Sequence, residues 1–272
     1  MKRIIMITIV GLVIGMNPLL AQQQSELFEI ALSRPSESGQ LVLQQIEGSI
    51  RVSGYDGNTV KVKATFGSET DKKTGEPVKD GMRKIATTSG KVTGEESNNT
   101  VYIRNKGWNK IVDFDIQVPR NFSLKLKTVN NGEIEVSNLS GSFELSNVNG
   151  SISLSKVSGA VTADSINGDI TVDFMGVDPN ASMAFSSLNG HLDVTFPSRL
   201  NARVKARSDW GDVFTDFEIA IEESQTVTSS KQSDGSVKVE VSDWVIGAIG
   251  NGGPQYLFKT YNGNVYIRQA SR

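Results

Sequence analysis

The chain has 272 residues, no cysteine, and 28 Lys and Arg against 30 Asp and Glu, for a formal net charge of −2. Without cysteine there is no disulfide and no thiolate-held metal, and the interspersed, nearly balanced charges leave no electrostatic footprint for nucleic acid. Stability must come from an apolar core, and 26 glycines beside 7 prolines suit many short strands joined by turns.

Met1-Lys2-Arg3 is basic, an apolar run follows from Ile4 to Leu20, and Leu19-Leu20-Ala21 precedes Gln22-Gln23-Gln24. That order is expected of a secretory signal peptide occupying residues 1–21 and cleaved after Ala21. Gly11, Gly15, Asn17 and Pro18 interrupt the run, which falls short of the roughly 20 apolar residues of a spanning helix. No second run of that length follows. The expectation is an exported protein of the periplasm or cell surface, with no transmembrane segment after signal cleavage.

Residues 22–120 are read as N-terminal strands that form a capping region. Ile46-Glu47-Gly48-Ser49-Ile50-Arg51-Val52 and Val60-Lys61-Val62-Lys63-Ala64 alternate apolar with polar, the strand period. From 67 to 100 the chain is polar and glycine-containing, an expected excursion with room for a short helix near Val78 to Ile85. Val101 to Val118 regains strand character, and Pro119 ends it.

The segment 121–272 carries the repeats. Gly132, Gly141, Gly150, Gly159 and Gly168 recur every nine residues, preceded alternately by Asn and Ser, so the unit is 18 residues with two non-equivalent halves. Alternating apolar pairs follow each glycine, such as Phe143 and Leu145 or Ile152 and Leu154, and a third apolar residue precedes the next turn: Leu139, Val148, Val157 and Ile166. Asn-Gly turns between alternating strands also suit antiparallel hairpins. The alternation of Asn-Gly with Ser-Gly, and the like residues at equivalent positions, favour an all-β solenoid with two short strands per coil, stacked in register. Leu188-Asn189-Gly190, Trp210-Gly211 and Tyr261-Asn262-Gly263 extend the pattern. A solenoid needs covered ends, a role assigned to the N-terminal strands and to the aromatic, glycine-rich stretch from Trp244 to Tyr266.

His191 is the single histidine, no G-x-S-x-G elbow is present, and Gly250-Asn251-Gly252-Gly253-Pro254 lacks the Lys-Ser/Thr of a phosphate loop. No catalytic residue, cofactor site or metal site is assigned. One constellation is set apart: if Gly168, Gly190 and Gly211 stack directly, Asp169, His191 and Asp212 line up outside with Asp193 beside them. Such a group could hold a cation or act as an acid–base pair, although outward strand positions are ordinarily polar. A ladder of Asn131, Asn149, Asn167 and Asn189 is read as structural. Trp108, Trp210, Trp244 and Tyr261 are read as packing in caps and turns rather than as a sugar platform.

Ile46-Glu47-Gly48-Ser49-Ile50-x-Val52-x-Gly54-Tyr55-Asp56-Gly57, the Val118-Pro119 step and the Asn-Gly/Ser-Gly repeats together resemble the bacterial putative adhesin family, a domain of unknown function with β-strand repeats. The resemblance covers most of the mature chain and implies an envelope-exported β-solenoid, with no catalytic residues to carry over. The expected function is therefore a non-enzymatic binding or scaffolding protein, adhesin-like, whose partner is a protein or glycan of the envelope or cell surface. A carbohydrate-active β-helix enzyme working through the acidic lane at His191, and a periplasmic signalling partner, stand as alternatives.

Overall fold

The computed structural model describes residues 25–67, 92–106, 111–222, 225–231 and 237–271. The proposed signal at 1–21, the possible helix near Val78 and Trp108 lie outside them. The described residues contain no helix and fold as an all-β, solenoid-like stack. In chain order the strands are β1 (Ser25–Ala31), β2 (Gly39–Gln44), β3 (Ile50–Tyr55), β4 (Thr59–Phe66), β5 (Val92–Ser97), β6 (Thr100–Asn105), β7 (Val112–Pro119) and β8 (Phe122–Thr128). Then come β9 (Ile134–Ser137), β10 (Ser140–Asn149), β11 (Ile152–Asn167), β12 (Ile170–Val177), β13 (Met183–Asn189), β14 (Leu192–Phe196) and β15 (Ala202–Ser208). The last are β16 (Val213–Thr215), β17 (Ile219–Glu222), β18 (Gln225–Lys231), β19 (Val237–Asp243), β20 (Val245–Ile249), β21 (Gln255–Asn262) and β22 (Val265–Gln269). The strand β5 begins inside the stretch expected to be an excursion up to residue 100, so that expectation is corrected from Val92 onward: alternation resumes there and pairs with β6.

Two parallel, in-register ladders run the length of the molecule. One stacks β6, β2, β8, β10, the second half of β11, β13, β21 and β15. The other stacks β7, β3, β9, the first half of β11, β12, β14, β22 and β16. β11 serves both by turning at Lys156 and Gly159, where φ is 52° and 115°. Inward residues such as Leu43, Leu145, Ile152, Val194 and Ile267 are at most 1% exposed and form one core. The ladders face each other across it: Phe196 of the second stacks on Tyr256 of the first at 5.4 Å and meets Phe258 edge-on at 6.3 Å. Removing this apolar area from water, worth roughly 25 cal/mol per Å², is the main stabilising contribution, since no level can bury its face alone.

The order of the levels is not the order of the chain. β2–β3 lies between β6–β7 and β8–β9, and β21–β22 lies between β13–β14 and β15–β16. Both segments had been expected at the ends. They sit one level inside because their inward residues, Leu41, Leu43, Ile50 and Val52 or Tyr256, Phe258, Val265 and Ile267, repeat the pattern of every other level. Antiparallel strands flank the ladders instead: β5 beyond β6, β4 then β1 beyond β7, and β20 then β17 beyond β15. β16 is paired on one side only among the described residues.

The two kinds of turn differ in what they bury. Before the Ser-Gly turns Leu139 and Val157 are inward. Before the Asn-Gly turns Val148 is half-buried, while Ile166 and Leu188 are 42% and 47% exposed. The inward place there belongs to a polar residue. Thr128, Asn147, Ser165, Ser187, Thr260 and Ser208 stack in register. Each donates to the carbonyl of a turn glycine one level away: Gly48, Gly132, Gly150, Gly168, Gly190 and Gly263, at 2.6 to 3.2 Å. A buried carbonyl without a partner is costly, so a hydroxyl or amide displaces the apolar residue at this corner.

Candidate binding surface

After Gly168, Gly190 and Gly263 the next residue points outward and caps the neighbouring level. Asp169 Oδ1 accepts from the His191 amide at 2.7 Å, His191 Nδ1 from the Asn264 amide at 2.9 Å, and Asn264 Oδ1 from the Asp212 amide at 3.1 Å. The direct stacking of Gly211 on Gly190 therefore does not occur. Asp169 and His191 are neighbours, whereas Asn264 separates His191 from Asp212. Asp193 is held elsewhere, by two hydrogen bonds from the Arg268 guanidinium at 2.7 and 3.0 Å, which raise the pKa of Arg268. The imidazole Nδ1 thus accepts a backbone N–H, and the two carboxylates are engaged by an amide and by a guanidinium. Among the described residues, no group of three or more His, Asp or Glu is placed to hold a metal ion.

The asparagine ladder exists, shifted by one residue at its start. Asn149 donates to Asn130, Asn167 to Asn149 and Asn189 to Asn167, at 2.7 to 2.8 Å. Asn131 is the extra residue of its turn and takes φ 53°, a left-handed conformation that Asn tolerates. Trp210 and Tyr261 are 72% and 47% exposed. Lys205 and Arg207 lie over the Trp244 ring at 4.6 and 5.9 Å.

A broad concavity lies on the outer face of the second ladder, at its N-terminal end. A groove of about 1050 Å³ is lined by Leu27 and Glu29 of β1, Lys61 and Lys63 of β4, Asp115 and Gln117 of β7, and Arg51 and Ser53 of β3. Glu135 and Ser137 of β9, and Ser153 and Ser155 of β11, complete it. Period-2 alternation sends these polar side chains outward while Val52, Val62, Ile116 and Val136 between them face the core. Strand twist gives such a many-stranded face its curvature.

Arg51 is the pivot of the groove. Its Nε donates to Glu135 Oε1 at 3.1 Å, and its Nη1 lies 3.9 Å from Asp115. Burial lowers the pKa of Arg51, but Glu135, Asp115 and Asp113 outweigh it and leave the value raised. Lys61 lies 4.7 Å above the Tyr55 ring, whose hydroxyl bonds Thr59. The result is a row of cations and carboxylates beside serine hydroxyls and a glutamine amide, suited to holding a polar ligand by many moderate contacts. The sequence marks these residues only as the polar face of strands, because the curvature that gathers them depends on which strands become neighbours.

A family model described as Toastrack DUF4097 matches residues 84–249. Among solved structures, a putative cell adhesion protein from Clostridium sporogenes is similar at 14% identity and a TM-score of 0.45, over 92% of this chain and 100% of that one. A putative adhesin from Bacteroides fragilis is similar at 10% identity and a TM-score of 0.39, over 91% and 97%. A putative lipid binding protein from Parabacteroides distasonis is similar at 10% identity and a TM-score of 0.30, over 92% and 98%. No curated protein matches the chain.

Proposed function

The chain belongs to the Toastrack DUF4097 family, whose model spans more than half of it, and from that premise we propose a non-enzymatic binding or scaffolding protein of the cell envelope. Residues 1–21 direct its export, and each pair of successive strands, one in each ladder, forms one coil of a β-solenoid. The antiparallel strands β1, β4, β5, β17 and β20 cap the coils. The observation that carries this reading is the groove around Arg51, a broad concavity that sets charged and hydroxyl side chains beside apolar ones. Its mixed charges and hydroxyls fit an envelope protein or glycan held without chemistry. What weighs against the carbohydrate-active alternative is that Asp169 Oδ1 and His191 Nδ1 accept from backbone amides and Asp193 is paired with Arg268.

A photo-crosslinking side chain in place of Ser153, inside the groove, tests the reading in living cells. A defined adduct from that position, absent when the same group replaces Thr162 on the other ladder, is expected. Identical adducts from both positions, or none from Ser153, would sink the groove as the recognition surface. Protease accessibility in intact and permeabilised cells then distinguishes surface from periplasm, and with it an external partner from an internal one.

A further inference from the structure

The far end of the second ladder carries a different kind of surface. β16 pairs with β22 on one side, and the Val265 amide donates to the Asp212 carbonyl at 2.9 Å. Alternation along a parallel strand then turns the amides and carbonyls of Asp212 and Phe214 toward β22 and those of Val213 and Thr215 toward the edge left unpaired among the described residues. One face of the Phe214 ring stacks on Tyr266, with centroids 5.2 Å apart and planes 12° from parallel. The other face points where a next strand would lie, and Phe214 is 46% exposed. Asp212 and Asp216 lie two residues to either side and are both exposed, and Asp216 Oδ1 accepts from the Gln269 amide at 2.6 Å.

We propose that the edge of β16 accepts an extended, basic segment of a partner protein as an added strand. An apolar side chain of that segment lies on Phe214, and a cation faces each of Asp212 and Asp216. Main-chain hydrogen bonds supply affinity in this mode and the alternate side chains supply selectivity, while opposite charges across a strand pair favour one register. A second copy of the chain fits poorly. Two β16 edges related by a two-fold axis would pair antiparallel and set Asp212 and Asp216 of the two copies against each other. Pairing β16 with the outer strand β1 of another copy would bring Glu29, the acid on the exposed face of that strand, to the same acids. The charges that discourage self-pairing are those that admit a basic strand. This site is separate from the groove at Arg51, and its partner need not be the same molecule.

The test uses a fluorescent peptide, Ser-Lys-Thr-Phe-Thr-Lys-Ser, whose register is the same in either direction, titrated with the protein and followed by anisotropy. Saturable binding tighter than about 1 mM is expected. It should weaken at least tenfold when Glu replaces both Lys of the peptide, and likewise when Pro replaces the first Thr and the Phe after it is N-methylated, which together remove a main-chain donor in either strand direction. The Asp212→Lys protein, checked for an unchanged thermal midpoint, should lose binding at least tenfold, while Arg51→Glu in the groove should not. No saturable binding, equal binding of the Glu or Pro peptides, or loss with Arg51→Glu but not Asp212→Lys would each overturn the proposal. A dimer in sedimentation equilibrium that disappears in Phe214→Ser would give the edge to a second copy and overturn it as well. None of these outcomes bears on the crosslinking result at Ser153.

Discussion

A β-carbon on Gly263 would lie 2.2 Å from the carbonyl oxygen of Gly190, although 73 residues separate them in the chain. The two glycines stack at one corner on adjacent levels, and Gly263 has φ +150°. Gly263→Ala should therefore destabilise by about 3 kcal/mol, through backbone strain and a contact that only main-chain movement relieves. Gly176→Ala is the control, since its β-carbon would meet nothing nearer than Ser158 Oγ at 3.6 Å, and it should change stability by no more than about 0.5 kcal/mol. Urea unfolding of both variants checks the contrast.

Thr260 donates to that same Gly190 carbonyl at 2.8 Å. Thr260→Val keeps the shape and removes the donor, leaving a buried acceptor, and should cost about 1–2 kcal/mol. Its exposed neighbour Tyr261 offers the comparison: Tyr261→Ser should shift the unfolding midpoint little. Equal effects at both positions would deny the polar lane its structural role.

Tyr256 is fully buried, and its hydroxyl has no hydrogen-bond partner. Burial, with Asp178 adding to it, raises the pKa of this phenol. The folded protein thus keeps a proton that the unfolded chain releases above the ordinary tyrosine value of about 10, so stability is intact below that pH and falls as pH rises beyond it. Tyr256→Phe should remove this alkaline loss. At neutral pH it should leave stability unchanged or raised by up to about 1 kcal/mol, because no hydrogen bond is lost. Unfolding curves between neutral and strongly alkaline pH measure both effects.

Deleting residues 252–272 would take out β21 and β22, which lie between two other levels. It should abolish cooperative unfolding and expose core to hydrophobic dye, rather than shorten the stack by one level. A truncated chain that kept a sharp transition would contradict the observed order of levels.

Much of the architecture is legible in the spacing of Gly132, Gly141, Gly150, Gly159 and Gly168 and in the alternation that follows each. These features depend on local chemistry, namely turn conformation and the two-residue period of a strand. Neighbour identity is not local. Gly48, Gly211 and Gly263 head similar motifs, and nothing in one level says which other covers it, so the direct step from His191 to Asp212 could not be rejected from sequence. The inward placing of Asn147, Ser165 and Ser187 was open to reading, as a polar residue recurs two positions before each Asn-Gly glycine's Asn. Its reason, a glycine carbonyl to be satisfied, becomes visible only when the corner is built. The groove and the β16 edge were hidden for the same cause: both are made by strands distant in the chain.

The insertion of β2–β3 and β21–β22 one level inside the stack also decides how the protein bears load. Force applied through the C-terminal residues reaches a strand pair clamped by hydrogen bonds on both flanks. Unravelling from that side must shear two interfaces at once instead of peeling a single outer strand. A tether attached there would yield only at a tension that an in-order coil, unwinding turn by turn, would not withstand.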